Sequence, residues 1–132
     1  MIFIIENVLI TDARLVLVAT SGHQVEVELE GDCCSSSFFD DCSKLDARGL
    51  MGERLMSIED IGRDAPDPDQ IPHQDDSREY HALIIKTDKQ SITVDWRNES
   101  NGYYGGHARI RFDGEEMDAH KLCPRLTETL AQ

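Results

Sequence analysis

Apolar and polar residues alternate along much of the chain with a period of two. Val25, Val27 and Leu29 alternate with Glu26, Glu28 and Glu30, which predicts a strand with one apolar face and one face of carboxylates in water. Ahead of it, Ile4, Ile5, Val8, Leu9 and Ile10 read as a first strand interrupted by Glu6-Asn7. Thr11-Asp12-Ala13 offers a turn, Leu15 to Thr20 is a β-rich run, and Thr20-Ser21-Gly22-His23 has turn chemistry. The first third is therefore expected to form an antiparallel meander. The pattern returns at Tyr80 to Thr87, passes a tight turn at Asp88-Lys89-Gln90, and continues from Ser91 to Asn98 with Ile92, Val94 and Trp96 on one face. His107 to Phe112 alternates again through Ala108, Ile110 and Phe112, with Arg109 and Arg111 facing outward.

The middle of the chain is less regular. After Gly31-Asp32, serines suited to helix caps and first-turn acids at Asp40 and Asp41 predict a short helix around Ser36 to Leu45, burying Phe38, Phe39 and Leu45. Arg54 to Ile58 reads as a short strand, and Ser57 to Asp60 as a turn or capping box. Residues 59–79 hold eight acids, two arginines and Pro66, Pro68 and Pro72, so they are expected to form a solvated acidic loop. Residues 113–132 read as an acidic tail or weak helix interrupted by Pro124. The expected fold is one α+β domain over 1–132: a mostly antiparallel sheet of about six strands with one or two short helices.

Composition narrows the classes. The chain has 132 residues, 39% of them hydrophobic, enough for one modest core. Thirteen basic against 26 acidic residues leave a net charge of −13, which disfavours direct nucleic-acid binding by counterion release. No apolar run approaches the ~20 residues needed to span a bilayer. The apolar start carries Glu6 and Asn7 without a basic n-region and is expected to be a strand, not a signal peptide. The reducing cytosol is the expected location, with Cys33, Cys34, Cys42 and Cys123 as thiols.

Two segments stand out: Gly31-Asp-Cys-Cys-Ser35 and Arg97-Asn-Glu-Ser-Asn-Gly-Tyr-Tyr-Gly-Gly106. On these motifs, with Thr87-Asp88-Lys89 at the hairpin before the second, the sequence resembles a family of small uncharacterised phage and prophage proteins. The agreement runs from about Ile5 to Phe112. Phe38-Phe39 stands where that family has a tryptophan-containing pair, and Cys42 and the C-terminal tail are particular to this chain. The resemblance implies a domain of unknown function and a phage context.

Several residue groups carry candidate chemistry. Asp32, Cys33 and Cys34 with His23, His81 or His107 would make a metal site or a thiol nucleophile, but the Cys-x-x-Cys spacing usual for zinc is absent. Packing of one cysteine and capping by the other, or by Ser35, is favoured over both. Asn101 to Gly106 lacks a P-loop ending and reads either as a hairpin loop or as a ligand loop with Tyr103 and Tyr104 as stacking faces. If the two motifs meet at one end of the sheet, Asp32, Cys33, Cys34, Arg97, Asn98, Asn101, Tyr103 and Tyr104 would line a pocket for a nucleotide-like ligand. The acidic loop lacks the glycine of an EF-hand. It would either keep the surface solvated or, through Asp64, Asp67, Asp69, Asp75 and Asp76, mimic DNA phosphates in a basic groove of a host protein.

The leading expectation is a non-catalytic phage-type accessory protein that inhibits a host defence or nucleic-acid-handling protein through its acidic surface. A nucleotide-binding sponge is the alternative, and a thiol- or metal-dependent enzyme the third. No cofactor and no membrane partner are expected, and homo-oligomerisation is left open.

Overall fold

The computed structural model describes residues 2–31, 36–39, 47–62, 77–100 and 106–127. The N-terminal alternation becomes the expected meander of β1 (Ile5–Ile10), β2 (Arg14–Ala19) and β3 (Gln24–Gly31), each antiparallel to the next. β8 (Gly106–Phe112) pairs with β3, and the two-residue β9 (Glu115–Glu116) follows across a turn in which Asp113 and Gly114 both take positive φ. The strand order of this first sheet is β1-β2-β3-β8-β9. A second antiparallel sheet joins β4 (Ser36–Phe39), β5 (Leu55–Gly62), β6 (Ser77–Thr87) and β7 (Ser91–Ser100) in the order β4-β7-β6-β5.

The inward rows of both sheets meet in one hydrophobic core. Leu15, Leu17, Val25, Val27, Ile110 and Phe112 come from the first sheet, and Leu83, Ile85, Val94 and Trp96 from the second. Burying each such side chain contributes roughly 1.5–3 kcal/mol relative to exposure. The sheets also join at an edge, where Ile4 bridges to Arg54 and the Ile5 N–H donates to the Glu53 carbonyl at 2.9 Å.

Four expectations are corrected. The described residues form nine strands in two sheets, not about six in one, because alternation marks the strands but does not say which of them pair. The helix expected at 36–45 is a strand at Ser36–Phe39, where Ser37 opposes Asn98 and Phe39 opposes Trp96; residues 40–46 lie outside the described residues. Period two places Ser37 and Phe39 on the buried side of an edge strand, and this outweighs the capping signals. The turn expected at 57–60 is the middle of β5, an edge strand that pairs along one side with the eleven-residue β6. Strand also takes both ends of the stretch 59–79, leaving 63–76 outside the described residues.

Among the described residues the helical content is one turn, α1 (Ala47–Leu50), and one longer helix, α2 (Ala119–Thr127). Asp118 caps α2 by accepting the Lys121 N–H at 2.9 Å. Leu122 and Leu126, four residues apart, are fully buried as α2 packs against β5. Pro124 has no N–H to donate within the helix, a defect of about 3 kcal/mol that burial of the two leucines helps to offset.

The Thr87–Gln90 turn is held by a buried polar knot. Thr87 Oγ1 donates to Glu53 Oε1 at 2.6 Å and accepts the N–H groups of Lys89 and Gln90. Gln90 Nε2 reaches both Glu53 carboxylate oxygens at 2.9 and 2.8 Å and the Gly49 carbonyl at 3.0 Å.

Candidate functional site

Strand register shows which chain ends lie together. Gly31, the last residue of β3, pairs with Gly106, the first of β8. Ser36, the first residue of β4, pairs with Glu99, and Ser77, the first of β6, pairs with Ser100, the last of β7. The described residues that flank 32–35 and 101–105 therefore lie at one end of the molecule, and so does Ser77, the first described residue after 62. β5 ends at Gly62 opposite His81, four residues along β6 from Ser77.

Beneath these stems lies a second buried polar knot. Asn98 is fully buried, and its Oδ1 lies 2.9 Å from Ser37 Oγ, which is also 3.0 Å from the Glu30 carbonyl. Gly106 packs directly on this pair. A Cβ there would sit 2.3 Å from Ser37 Oγ and 2.8 Å from Asn98 Oδ1, so only glycine lets β8 come this close. On the opposite face of β7, Arg97 stands between Phe38 and Tyr80 in register, with its guanidinium carbon 5.2 Å from the Tyr80 ring centroid.

One layer further in, Trp96 Nε1 donates to Asp60 Oδ1 at 3.0 Å, and the His81 ring stacks on the indole with centroids 4.0 Å apart and planes 9° apart. The Asp60 carboxyl still meets solvent, yet the atoms packed around it push its pKa up, against the opposing pull of the indole N–H and His81. A carboxyl of raised pKa beside an imidazole has the chemistry of a binding or proton-transfer site. Sequence pattern alone marks Asp60 as part of a turn and Trp96 as one of an apolar row. The available signal was His81, which shares the inward parity of Leu83 and Ile85 and so interrupts an apolar row.

Of the residues expected to bind a ligand, Arg97 and Asn98 are neighbours on β7 that face opposite ways. Asp32, Cys33, Cys34, Asn101, Tyr103 and Tyr104 lie outside the described residues, as do the partner-binding candidates Asp64, Asp67, Asp69, Asp75 and Asp76. Among the described residues no group of three or more His, Cys, Asp or Glu side chains is placed to hold a metal ion, and no helix is long and apolar enough to cross a membrane. Cys123 is a free thiol.

The acidic face of β3 does look outward, but its carboxylates are paired. Glu26 meets Arg14 Nε at 3.0 Å and Arg111 Nη1 at 2.6 Å, and Glu30 meets Arg109 Nη1 and His107 Nε2, each at 3.0 Å. Arg111 also reaches Glu28 at 3.4 Å. The hydrogen bond from Arg14, joined by Arg111, holds the Glu26 carboxyl below the ordinary glutamate range. The alternations on β3 and β8 were both legible in sequence; that each neutralises the other was not.

A model of the family described as Domain of unknown function (DUF7448) matches residues 2–110. The chain belongs to this family. The DUF7448 span contains the stems, both motif segments and the Asp60–Trp96–His81 cluster, whereas β9 and α2 lie beyond it. Comparison with curated proteins found no match, and comparison with solved structures found none.

Proposed function

We propose that this DUF7448 chain is a non-catalytic, phage-type accessory protein of the bacterial cytoplasm that docks on a basic surface of a host defence or nucleic-acid-handling protein. The observation that carries the reading is the convergence of stems, with Gly31 opposite Gly106, Ser36 opposite Glu99 and Ser77 opposite Ser100. Connections gathered at one end of a rigid β scaffold are a common way to build a binding surface. Pairing of Glu26, Glu28 and Glu30 with Arg14, Arg109, Arg111 and His107 supports placing the unbalanced acid elsewhere. Asp64, Asp67, Asp69, Asp75 and Asp76, against Arg63 alone, are the candidates.

The test is capture of a host partner followed by affinity measurement across a salt series. Raising salt from about 0.05 to 0.5 M shortens the screening length severalfold and should weaken docking at least tenfold. Replacing Asp67, Asp69, Asp75 and Asp76 with Asn should have a comparable effect. Binding that survives both treatments rejects the acidic-docking reading.

The same convergence favours a second reading, in which Asp32, Cys33, Cys34, Arg97, Asn101, Tyr103 and Tyr104 surround a nucleotide-like ligand and buried Asn98 positions them from below. A nucleotide that binds the folded state raises Tm by mass action, and Tyr103→Ala should abolish the rise. A nucleotide panel without any thermal shift rejects it.

A further inference from the structure

From Ala119 to Thr127 the charge of the chain reverses: His120, Lys121 and Arg125 occur with no acid among them, in a protein of net charge −13. These three side chains line one wall of a groove of about 430 Å³ between α2 and β9. Glu115 and Glu116 line the other wall, with Met117 and Pro124 as apolar surface between them. Glu116 is engaged by Arg109 at 3.1 Å, and Arg125 is held over the Phe112 ring at 4.9 Å. Among the described residues, the side chains of Glu115, His120 and Lys121 make no ion pair, although most charged neighbours on the first sheet are matched. The groove lies beyond the span shared with the DUF7448 family.

The chemistry of the two walls selects the ligand. A simple anion would meet Glu115 and Glu116 as well as the negative field of the whole protein. A simple cation would meet the three basic groups of α2. An uncharged apolar molecule would strip water from charges on both walls without pairing them. A zwitterion with an apolar body satisfies both walls and the surface between. We propose that this groove binds such a zwitterion, an amino acid or a dipeptide, with its carboxylate toward Lys121 and Arg125, its ammonium toward Glu115 and its side chain on Met117 and Pro124. The volume falls at the lower end of ligand pockets, roughly 300–1,000 Å³, as suits a ligand of that size.

The test is an amide NMR titration of the full chain with leucine, with the dipeptide leucyl-leucine, with uncharged N-acetyl-leucinamide and with inorganic phosphate. Leucine or the dipeptide should give saturable shifts confined to about residues 115–125, and whichever binds more tightly identifies the source of the zwitterion. Lys121→Gln and Glu115→Gln alter exposed side chains and should leave the melting curve in place, while each weakens binding about two- to fivefold. The proposal is overturned if no saturable shift occurs, if N-acetyl-leucinamide or phosphate shifts the same amides equally, or if both substitutions leave the affinity unchanged.

Discussion

The second sheet carries a buried polar knot at each end, and the two are built differently. At the Thr87 end, the Glu53 carboxylate takes hydrogen bonds from Thr87 and Gln90, and Gln90 also binds the Gly49 carbonyl. That end closes on itself in a turn of Asp88 and Lys89, and its polar groups are used in holding the turn. At the other end, Ser37 and Asn98 tie β4 to β7 under Gly106, where the connections to 32–35 and 101–105 begin. Further along the same sheet, on β5, Asp60 accepts the Trp96 indole N–H where its surroundings oppose its ionisation. One end thus matches its carboxylate with donors, while the other keeps a poorly matched carboxylate at the base of the stems. Mismatch of this kind is more characteristic of a working surface than of a scaffold.

The sharpest break of the comparison is Gly106→Ala. The new methyl would press on two side chains of which one, Asn98, is fully buried, and overpacking of this sort should cost about 3 kcal/mol in urea unfolding. Adding Ser37→Ala should recover only part of the loss, because the Asn98 contacts at 2.8 and 2.9 Å remain. Full recovery would mean that Ser37 alone limits the approach of β8. At the opposite end, Glu53→Ala removes the common acceptor of Thr87 and Gln90 and should cost about 2 kcal/mol by the same measurement, since Gln90 retains the Gly49 carbonyl. A loss below about 0.5 kcal/mol would show that this knot is not what holds the turn.

Much of this architecture was legible in the chain. β3, β7 and β8 follow alternation closely, because one face of each is buried and a shift of one residue would invert it, whereas β2 and β6 read as β-rich apolar runs that bury residues of both parities. Partner choice was not legible: nothing local tells Arg109 and Arg111 that they will lie beside Glu26, Glu28 and Glu30. Ser36–Phe39 misled because serines before aromatic residues suit a helix start as well as an edge strand. At the candidate end, parity places His81 and Trp96 on inward faces, but their stacking and the reach of Asp60 depend on the register of three strands. The buried leucines of α2, Leu122 and Leu126, were not legible because Pro124 and the acids flanking the helix masked its apolar side.

pH separates matched from mismatched carboxylates. Glu26, held below its ordinary range by Arg14 and Arg111, stabilises the fold above the unfolded pKa of about 4.3, and this contribution is lost as pH falls through the lower folded value. Arg14→Gln should therefore lower Tm at pH 7 by roughly 1–2 °C and flatten the acid limb of a Tm–pH profile. An unchanged acid limb would mean that Arg111 alone sets the state of Glu26.

Asp60 should behave with the opposite sign. Because its folded pKa is raised, its contribution favours the native state fully below the ordinary aspartate value of about 3.9 and is lost as pH rises through the folded pKa. At neutral pH the ionised carboxylate is then a small burden on the fold. Asp60→Asn keeps an oxygen to accept the Trp96 indole proton and removes the charge. Since the site is open to solvent and screened, Tm at pH 7 should rise by less than about 2 °C, and the gain should vanish near pH 3.5. If Asn instead lowers Tm at pH 7, the carboxylate is well matched, with His81 as its partner, and this end of the sheet would be scaffold in the same sense as the Glu53 knot. A gain in stability joined to a loss of partner binding would place Asp60 among the residues kept for recognition.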